Sequence, residues 1–497
     1  MDAASVPLAV AVEDGLWPLV EAFLDVHAAA GLAVAVVRDD EVVVRGFGVR
    51  DVETGEPVTP ETMFHLASVS KPFVATAVVS LASARNDAVA ALDLDAPIID
   101  WVPEFTLADG RAREVTARGL LSHTSGLPDV ADYGWHDPQL DDDALSEFAR
   151  SLAGWRLKSE PGSAFSYSNA GYELLGLLLA RVTGTTFEDA MRRQVLIPLG
   201  MRDSTFLRSE VPGHLAASPH VGMPLAVPQG VYPYTRRHAP SSTLHSNLVE
   251  LCRWLIAHLE PTPVAAAGSG EQWPRLDPEL VDQMRQPVVQ VGEPPWDESA
   301  ALGWAVGTYR GHRTFGHSGS DPGFGSRLVM VPSRRTGVIV LANSNTVPAS
   351  LMTKAALDLM LADDPDGEGS SELRDLLPSI VEPLAETLRA SGTEAATAQF
   401  HRLTSAEPVA HDVDDDMFED AVWGAIELHR TSMVWPLLRL WTHLRPESST
   451  AWTMTGWAHH VDGQPDQAMS LLRRALDLDP ENHDAALIMS SLGMGRA

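Results

Sequence analysis

Phe64-His65-Leu66-Ala67-Ser68-Val69-Ser70-Lys71-Pro72 contains the only Ser-x-x-Lys of this 497-residue chain, which has 36 lysines and arginines but only three lysines. Lys158 and Lys354 follow Trp155 and Leu351 at that spacing. Residues three apart on a helix share a face, so the Lys71 amine can reach the Ser68 hydroxyl. A serine hydroxyl is a poor nucleophile at neutral pH and needs a base beside it, which a desolvated lysine supplies. Arginine cannot serve, because it does not give up its proton. Taken alone the spacing is weak, since an exposed lysine in a helix's first turn gives the same pattern.

Before this segment, residues 13–29 have an amphipathic helical pattern. Leu32-Ala-Val-Ala-Val-Val37, an Asp39-Asp40 turn and Glu41-Val-Val-Val-Arg-Gly-Phe-Gly then predict a β-hairpin. After it, Phe73, Val74, Ala77 and Val78 predict a buried helix, with Pro72 tolerated in the first turn. Residues from about 75 to 260 read as mostly helical, broken by Gly/Pro loops. Strands return at Leu302–Tyr309, Thr314–His317, Ser326–Val331 and Gly337–Ala342, and a helix follows at about 350–362. Early and late strands around a helical insert predict one antiparallel sheet assembled from both ends of the domain.

Composition narrows the function. Hydrophobic residues at 45% and charged residues at 21% describe an ordinary globular protein. A formal charge of -31 repels nucleic acid and anionic membranes, so neither is expected as a partner. Whether coding bias or salt adaptation causes the acidity is left open by charge alone. Cys252 is the only cysteine and lies in an apolar helical run, which excludes an internal disulfide framework and a thiolate metal cluster. His459 and His460 are adjacent on one helix and poorly placed for one ion; neither a metal nor a cofactor is expected. The first residues lack a basic start followed by a long apolar run, and no stretch approaches 18 uninterrupted apolar residues. A cytoplasmic protein is the expectation.

Two further segments bear on Ser68. Ser166-Tyr167-Ser168-Asn169 follows Pro161-Gly162 and precedes Gly171-Tyr-Glu-Leu-Leu-Gly, a loop running into a helix. A loop tyrosine shuttles a proton when a nearby cation lowers its pKa. The Asn169 amide is suited to bind a substrate carbonyl and orient Lys71. Gly316-His317-Ser318-Gly319-Ser320 ends a strand, where backbone N–H groups can line a substrate groove and Gly319 would allow close approach.

With Leu120-Leu-Ser-His123-Thr-Ser-Gly126-Leu and Gly316-His-Ser-Gly-Ser-Asp-Pro-Gly323-Phe added, residues 10–360 resemble the serine β-lactamase and penicillin-binding-protein superfamily. The likeness is to its class C β-lactamase-like branch, which includes carboxypeptidases, D-aminopeptidases, esterases and acyltransferases. The resemblance implies an α/β (α+β) fold: an antiparallel sheet flanked by helices, plus a helical subdomain. It implies Ser68 as nucleophile, Lys71 as its activating amine, Tyr167 as proton shuttle and Asn169 as substrate-positioning amide. His317, Ser318 and Gly319 would line the substrate site, and the N–H groups of Ser68 and Ser320 would form the oxyanion hole. His123 would be a structural loop residue.

His317 stands where β-lactamases carry the lysine of Lys-Thr-Gly, and a mostly neutral imidazole holds a substrate carboxylate less firmly. No Gly-x-Ser-x-Gly elbow occurs, against an α/β-hydrolase. The leading expectation is a serine hydrolase forming a Ser68 acyl-enzyme on an ester or a D-peptide amide. An acyltransferase or peptide-cyclising enzyme using the same site is an alternative, because only the acceptor differs. A silent scaffold that recruits a partner is the third.

Residues 363–372 are acidic and free of large apolar side chains, which predicts a linker between a catalytic domain at 1–365 and a helical domain at 366–497. Trp452, Gly456, Ala468, Ala475 and Pro480 resemble a tetratricopeptide repeat, and Pro446 precedes Pro480 by that repeat's 34 residues. Such helices predict a protein partner or self-association, with a cap on the neighbouring domain as the simpler role.

Overall fold

The computed structural model describes residues 7–83, 92–260, 276–291, 298–361, 373, 376–406 and 408–494. The segment expected as a linker, 363–372, lies outside them. In chain order the strands are β1 (Gly31–Arg38), β2 (Glu41–Asp51), β3 (Glu56–Pro57), β4 (Phe64–His65), β5 (His245–Ser246), β6 (Val289–Gln290), β7 (Ser299–Ala300), β8 (Ala305–Tyr309), β9 (His312–Asp321), β10 (Phe324–Val331) and β11 (Thr336–Ala342). All but β4 and β5 form one sheet in the order β3-β2-β1-β11-β10-β9-β8-β7-β6. β1 pairs antiparallel with β11, Val34 opposite Val340, so both ends of the domain are stitched together as expected.

Alternation along β1 sorts its side chains into two layers. Leu32, Val34 and Val36 pack with Leu8, Val12, Leu16, Val20 and Met352 in one core. Ala33, Ala35 and Val37 join Phe73, Val74, Trp254 and Leu255 in the other. With helices on both faces, β1 is buried almost end to end, which explains its unbroken apolar run. The N-terminal helical stretch runs Leu8–Ala11, Val12–Leu16 and Trp17–Leu24, earlier at both ends than expected. It stops where His27 folds back to stack on Phe23, ring centroids 4.3 Å apart.

The middle of the chain is less helical than its composition suggests. Ala117–Leu121, Ala144–Ser151, Asn169–Thr183 and Leu248–Leu259 are helices, but 122–143 and 197–235 are largely irregular. These loops are held by specific polar contacts: Gly126 has φ +76 and packs on the Ser159 carbonyl, and Ser168 Oγ donates to Pro128 O at 2.7 Å. Local apolar periodicity does not register such contacts.

The C-terminal helices include Val381–Thr404, Asp415–Glu427, Trp435–Leu444, Ser449–Val461, Pro465–Leu478 and His483–Met494. Ser449–Val461 packs on Pro465–Leu478, and Gly456 permits it: a Cβ there would lie 2.9 Å from Leu472 Cγ. The expected boundary at 365 lies outside the described residues, and described residues on either side of it pack together. Leu373 is buried among the N-terminal helix and the sheet. Trp135 and Val221 share a core with Val381, Phe418, Val422, Leu438 and Trp441. The Leu438 and Trp441 side chains are thus buried in that core, Trp441 stacked on Phe418.

Candidate active site

Ser68 lies in a short 3₁₀ turn, Ala67–Val69, that runs into the helix Ser70–Ser83. Ala67 has φ +48, a left-handed conformation that costs a non-glycine residue about 1 kcal/mol and sharpens the turn before the serine. Lys71, fully buried, donates from Nζ to Ser68 Oγ at 2.8 Å and to the Ser241 carbonyl at 2.9 Å. Its nitrogen also lies 5.0 Å from the ring centre of Tyr167 and 5.5 Å from that of Tyr172. Tyr167 Oη donates to Ser68 Oγ at 3.0 Å. An amine and a phenol therefore converge on the Ser68 hydroxyl oxygen, and this set can move the Ser68 proton.

His123, expected as a structural loop residue, holds Tyr167. Its ring stacks on the tyrosine, centroids 4.3 Å apart, and Nδ1 accepts the Ser168 N–H at 3.1 Å. Burial pushes His123 well below the ordinary histidine range, with Lys71 and His317 adding to the effect, so it stays neutral.

Asn169 is placed differently from the expectation. Its Nδ2 donates to Asp129 Oδ2 at 3.0 Å and to Tyr133 Oη, and its backbone N–H donates to Asp129 Oδ1 at 2.7 Å. Both amide hydrogens are engaged by the loop, and Ser241 rather than Asn169 orients Lys71. A carboxylate at the start of Asn169–Thr183 suits the positive end of that helix. Tyr133 is half-buried, and its phenol is pushed well above its ordinary range, chiefly by desolvation and then by Asp129 and Asp321.

On the strand side, Gly319 lies against the serine itself. A Cβ there would lie 2.4 Å from Leu66 O and 2.8 Å from Ser68 N. The glycine thus admits the nucleophile's own backbone, where the sequence suggested room for substrate. Ser320 Oγ accepts from Asn345 Nδ2 at 3.0 Å, and Asn345 also bonds Asp321 O and Gly323 N across the β9–β10 turn. His317 Nδ1 donates to Ser318 O at 2.7 Å, which leaves Nε2 as an acceptor. Burial, with Lys71 adding repulsion, pushes His317 down to about 3, so the imidazole is neutral at physiological pH.

A cleft of about 200 Å³ opens beside these residues, lined by His123, Phe165, Tyr167, Trp304, His317, Ser318 and Arg327 among others. A larger cavity of about 400 Å³ lies under Asp142, Arg181 and Glu188, and neither Tyr167 nor His317 is among its lining residues. Sequence reasoning missed Ser241, Asp129, Tyr133 and Asn345. Only the last had a local signal, as an asparagine just beyond a strand end. No helix among the described residues is long and apolar enough to cross a membrane.

Comparison with known proteins agrees with this geometry. The β-lactamase family model matches residues 18–362. Penicillin-binding protein 4 of Amycolatopsis lactamdurans is 30% identical over 341 residues, covering 67% of this chain and 86% of that protein. Esterase EstB of Burkholderia gladioli is 41% identical over 207 residues, 39% of this chain and 51% of the esterase. The octameric penicillin-binding protein homologue from Pyrococcus abyssi superposes with a TM-score of 0.58 at 26% identity, over 78% of this chain and 82% of that one. With a family model spanning most of the chain, a matching sheet, and a serine, lysine and tyrosine meeting at one oxygen, this chain belongs to the β-lactamase family and is a serine hydrolase of that family.

Proposed function

We propose that the chain hydrolyses carboxylic esters, and amides of D-amino acids more slowly, through an acyl-enzyme on Ser68. Ser68 Oγ attacks the substrate carbonyl while its proton passes to the Lys71–Tyr167 pair. The same pair returns a proton to the departing alcohol or amine, and water then attacks the acyl-enzyme. The backbone N–H groups of Ser68 and Ser320 would receive the oxyanion, a contribution of about 3–4 kcal/mol per donor in such sites. His317, Ser318 and Gly319 would border the substrate, and Asn169 would fix the loop that closes the other side.

The observation that favours esters is the neutral His317 with Nε2 free as an acceptor. His317 itself supplies no fixed cation for the carboxylate of a penicillin, and the Arg327 guanidinium in the same cleft faces the Glu298 carboxylate. The apolar walls Phe165 and Trp304 suit an uncharged acyl or alcohol group, and the 41% likeness to an esterase points the same way. The test is intact-protein mass spectrometry after incubation with p-nitrophenyl esters, D-amino acid p-nitroanilides and penicillins. An ester-derived adduct on Ser68 is expected, and none in the Ser68→Ala variant. Adducts that persist in that variant, or formed only with penicillins, would overturn the reading.

A further inference from the structure

Away from Ser68, the loop after His123 and the C-terminal helical domain bring three metal-ligating side chains together. Asp132, His136 and His429 place their ligand atoms within 4.8 Å of one another. The first two belong to the catalytic domain, and His429 follows the tail helix Asp415–Glu427. The His136 and His429 rings stack with centroids 3.5 Å apart and planes at 15°. Among the described residues neither imidazole has a hydrogen-bond partner, and Asp132 uses Oδ1 for Gly134 N–H at 2.7 Å, leaving Oδ2.

The backbone at His429 is a second observation. Arg430 N–H donates to Ala425 O at 2.7 Å and His429 N–H to Ile426 O at 2.9 Å, closing the helix with a left-handed residue, His429, at φ +55. Glycine is the usual occupant of that place, and a branched or ring-bearing residue there costs roughly 1 kcal/mol. In that conformation the His429 ring faces that of His136 across the packed boundary.

We propose that Asp132, His136 and His429 bind one divalent transition-metal ion of the zinc type, which clamps the C-terminal helical domain to the active-site loop. Two imidazole nitrogens and one carboxylate oxygen form the donor set of a three-ligand zinc site, with a fourth position for water. Bond lengths of about 2.0–2.2 Å require the three donors to draw closer and the two rings to leave their stack. His136 and Asp132 are both exposed. The clamp acts on a loop that matters: Asp129 and Tyr133, within a turn of Asp132, hold Asn169, and buried Trp135 joins the tail core. Arg430 donating to Gln229 O at 3.1 Å is a metal-free tether beside it. The ligands come from two domains, which is why sequence spacing indicated no metal.

The test uses the full chain, stripped with chelator and titrated with Zn²⁺ by calorimetry and with Co²⁺ by visible absorption. Wild type is expected to bind one ion per chain with the intense bands of four-coordinate cobalt. His136→Ala and His429→Asn, the latter chosen because asparagine tolerates the left-handed backbone, should each weaken binding by about tenfold or more. Zn²⁺ should raise the melting temperature of wild type but not of His429→Asn. Failure of wild type to bind at micromolar Zn²⁺, or equal binding by the double variant, would overturn the proposal. Neither outcome bears on the Ser68 chemistry, which the adduct experiment reads separately.

Discussion

The Ser241 carbonyl and Ser68 Oγ lie 2.9 Å and 2.8 Å from Lys71 Nζ, so one buried nitrogen is held between the nucleophile and a distant loop. With Tyr167 over the same nitrogen, there is no room to exchange the lysine for a bulkier cation. Lys71→Arg keeps the charge, cannot release a proton and does not match this three-point setting. It should lower kcat/KM for p-nitrophenyl esters by about 10²–10⁴-fold, the usual worth of a positioned general base. Stopped-assay rates on folded protein check this, and activity within tenfold of wild type would assign the base elsewhere.

At His317 the expectation concerns charge. The imidazole is neutral throughout the working pH range because burial and Lys71 hold it at about 3. Nitrocefin should therefore be hydrolysed far more slowly than a simple ester. His317→Lys adds a donor cation at the strand edge, and a charged hydrogen bond is worth about 1.5–3 kcal/mol, or roughly 10–100-fold in affinity. The variant should bind anionic acyl substrates correspondingly better, measured as KM or inhibition by penicillins. An unchanged variant would remove His317 from the substrate site.

How much of this was legible in the sequence follows from how local each cause is. The β1–β2 hairpin was legible because two Val-rich apolar runs and the Asp39-Asp40 turn between them lie within twenty residues of each other. Ser68 and Lys71 were legible because one helical turn joins them. The partners of Asn169 were hidden, since Asp129 and Tyr133 lie some forty residues away in a loop without periodicity. The role of Gly319 was likewise hidden, because the atoms that exclude a Cβ, Leu66 O and Ser68 N, come from the other end of the domain. The helical content of 75–260 was overstated because apolar residues anchoring loops mimic helical spacing.

Glu427 makes stability depend on pH in a defined direction. Burial, then Asp132 and Asp321, push its carboxyl up to about 8 in the folded chain, against an ordinary value near 4.5. Between those values the native state holds a proton that the unfolded chain has lost, so stability falls as pH rises from about 4.5 to 8. Glu427→Gln removes the ionisation. It should raise the melting temperature at pH 9 by several degrees and at pH 4 hardly at all. Calorimetric scans across that range check it, and an equal change at both pH values would refute the assignment.

The tail is bound to the catalytic domain by packing as well as by chain connection. Gly424 sits where a Cβ would lie 2.8 Å from Val221 Cγ1 and 3.6 Å from Pro322 Cα, one residue beyond Asp321 at the end of β9. Gly424→Leu forces a branched side chain into that contact, and overpacking of this kind costs about 1–3 kcal/mol. The variant should melt a few degrees lower. It should also lose more esterase activity than its stability loss explains, because Pro322 adjoins the turn that Asn345 holds beside Ser320. Truncation after residue 365 goes further, uncovering Trp135 and Val221 from the core they share with Phe418 and Val422. An exposed apolar face of that kind should bind a hydrophobic dye and promote association. A truncated chain that is monomeric, dye-silent and fully active would show that the two domains are energetically independent despite their contact.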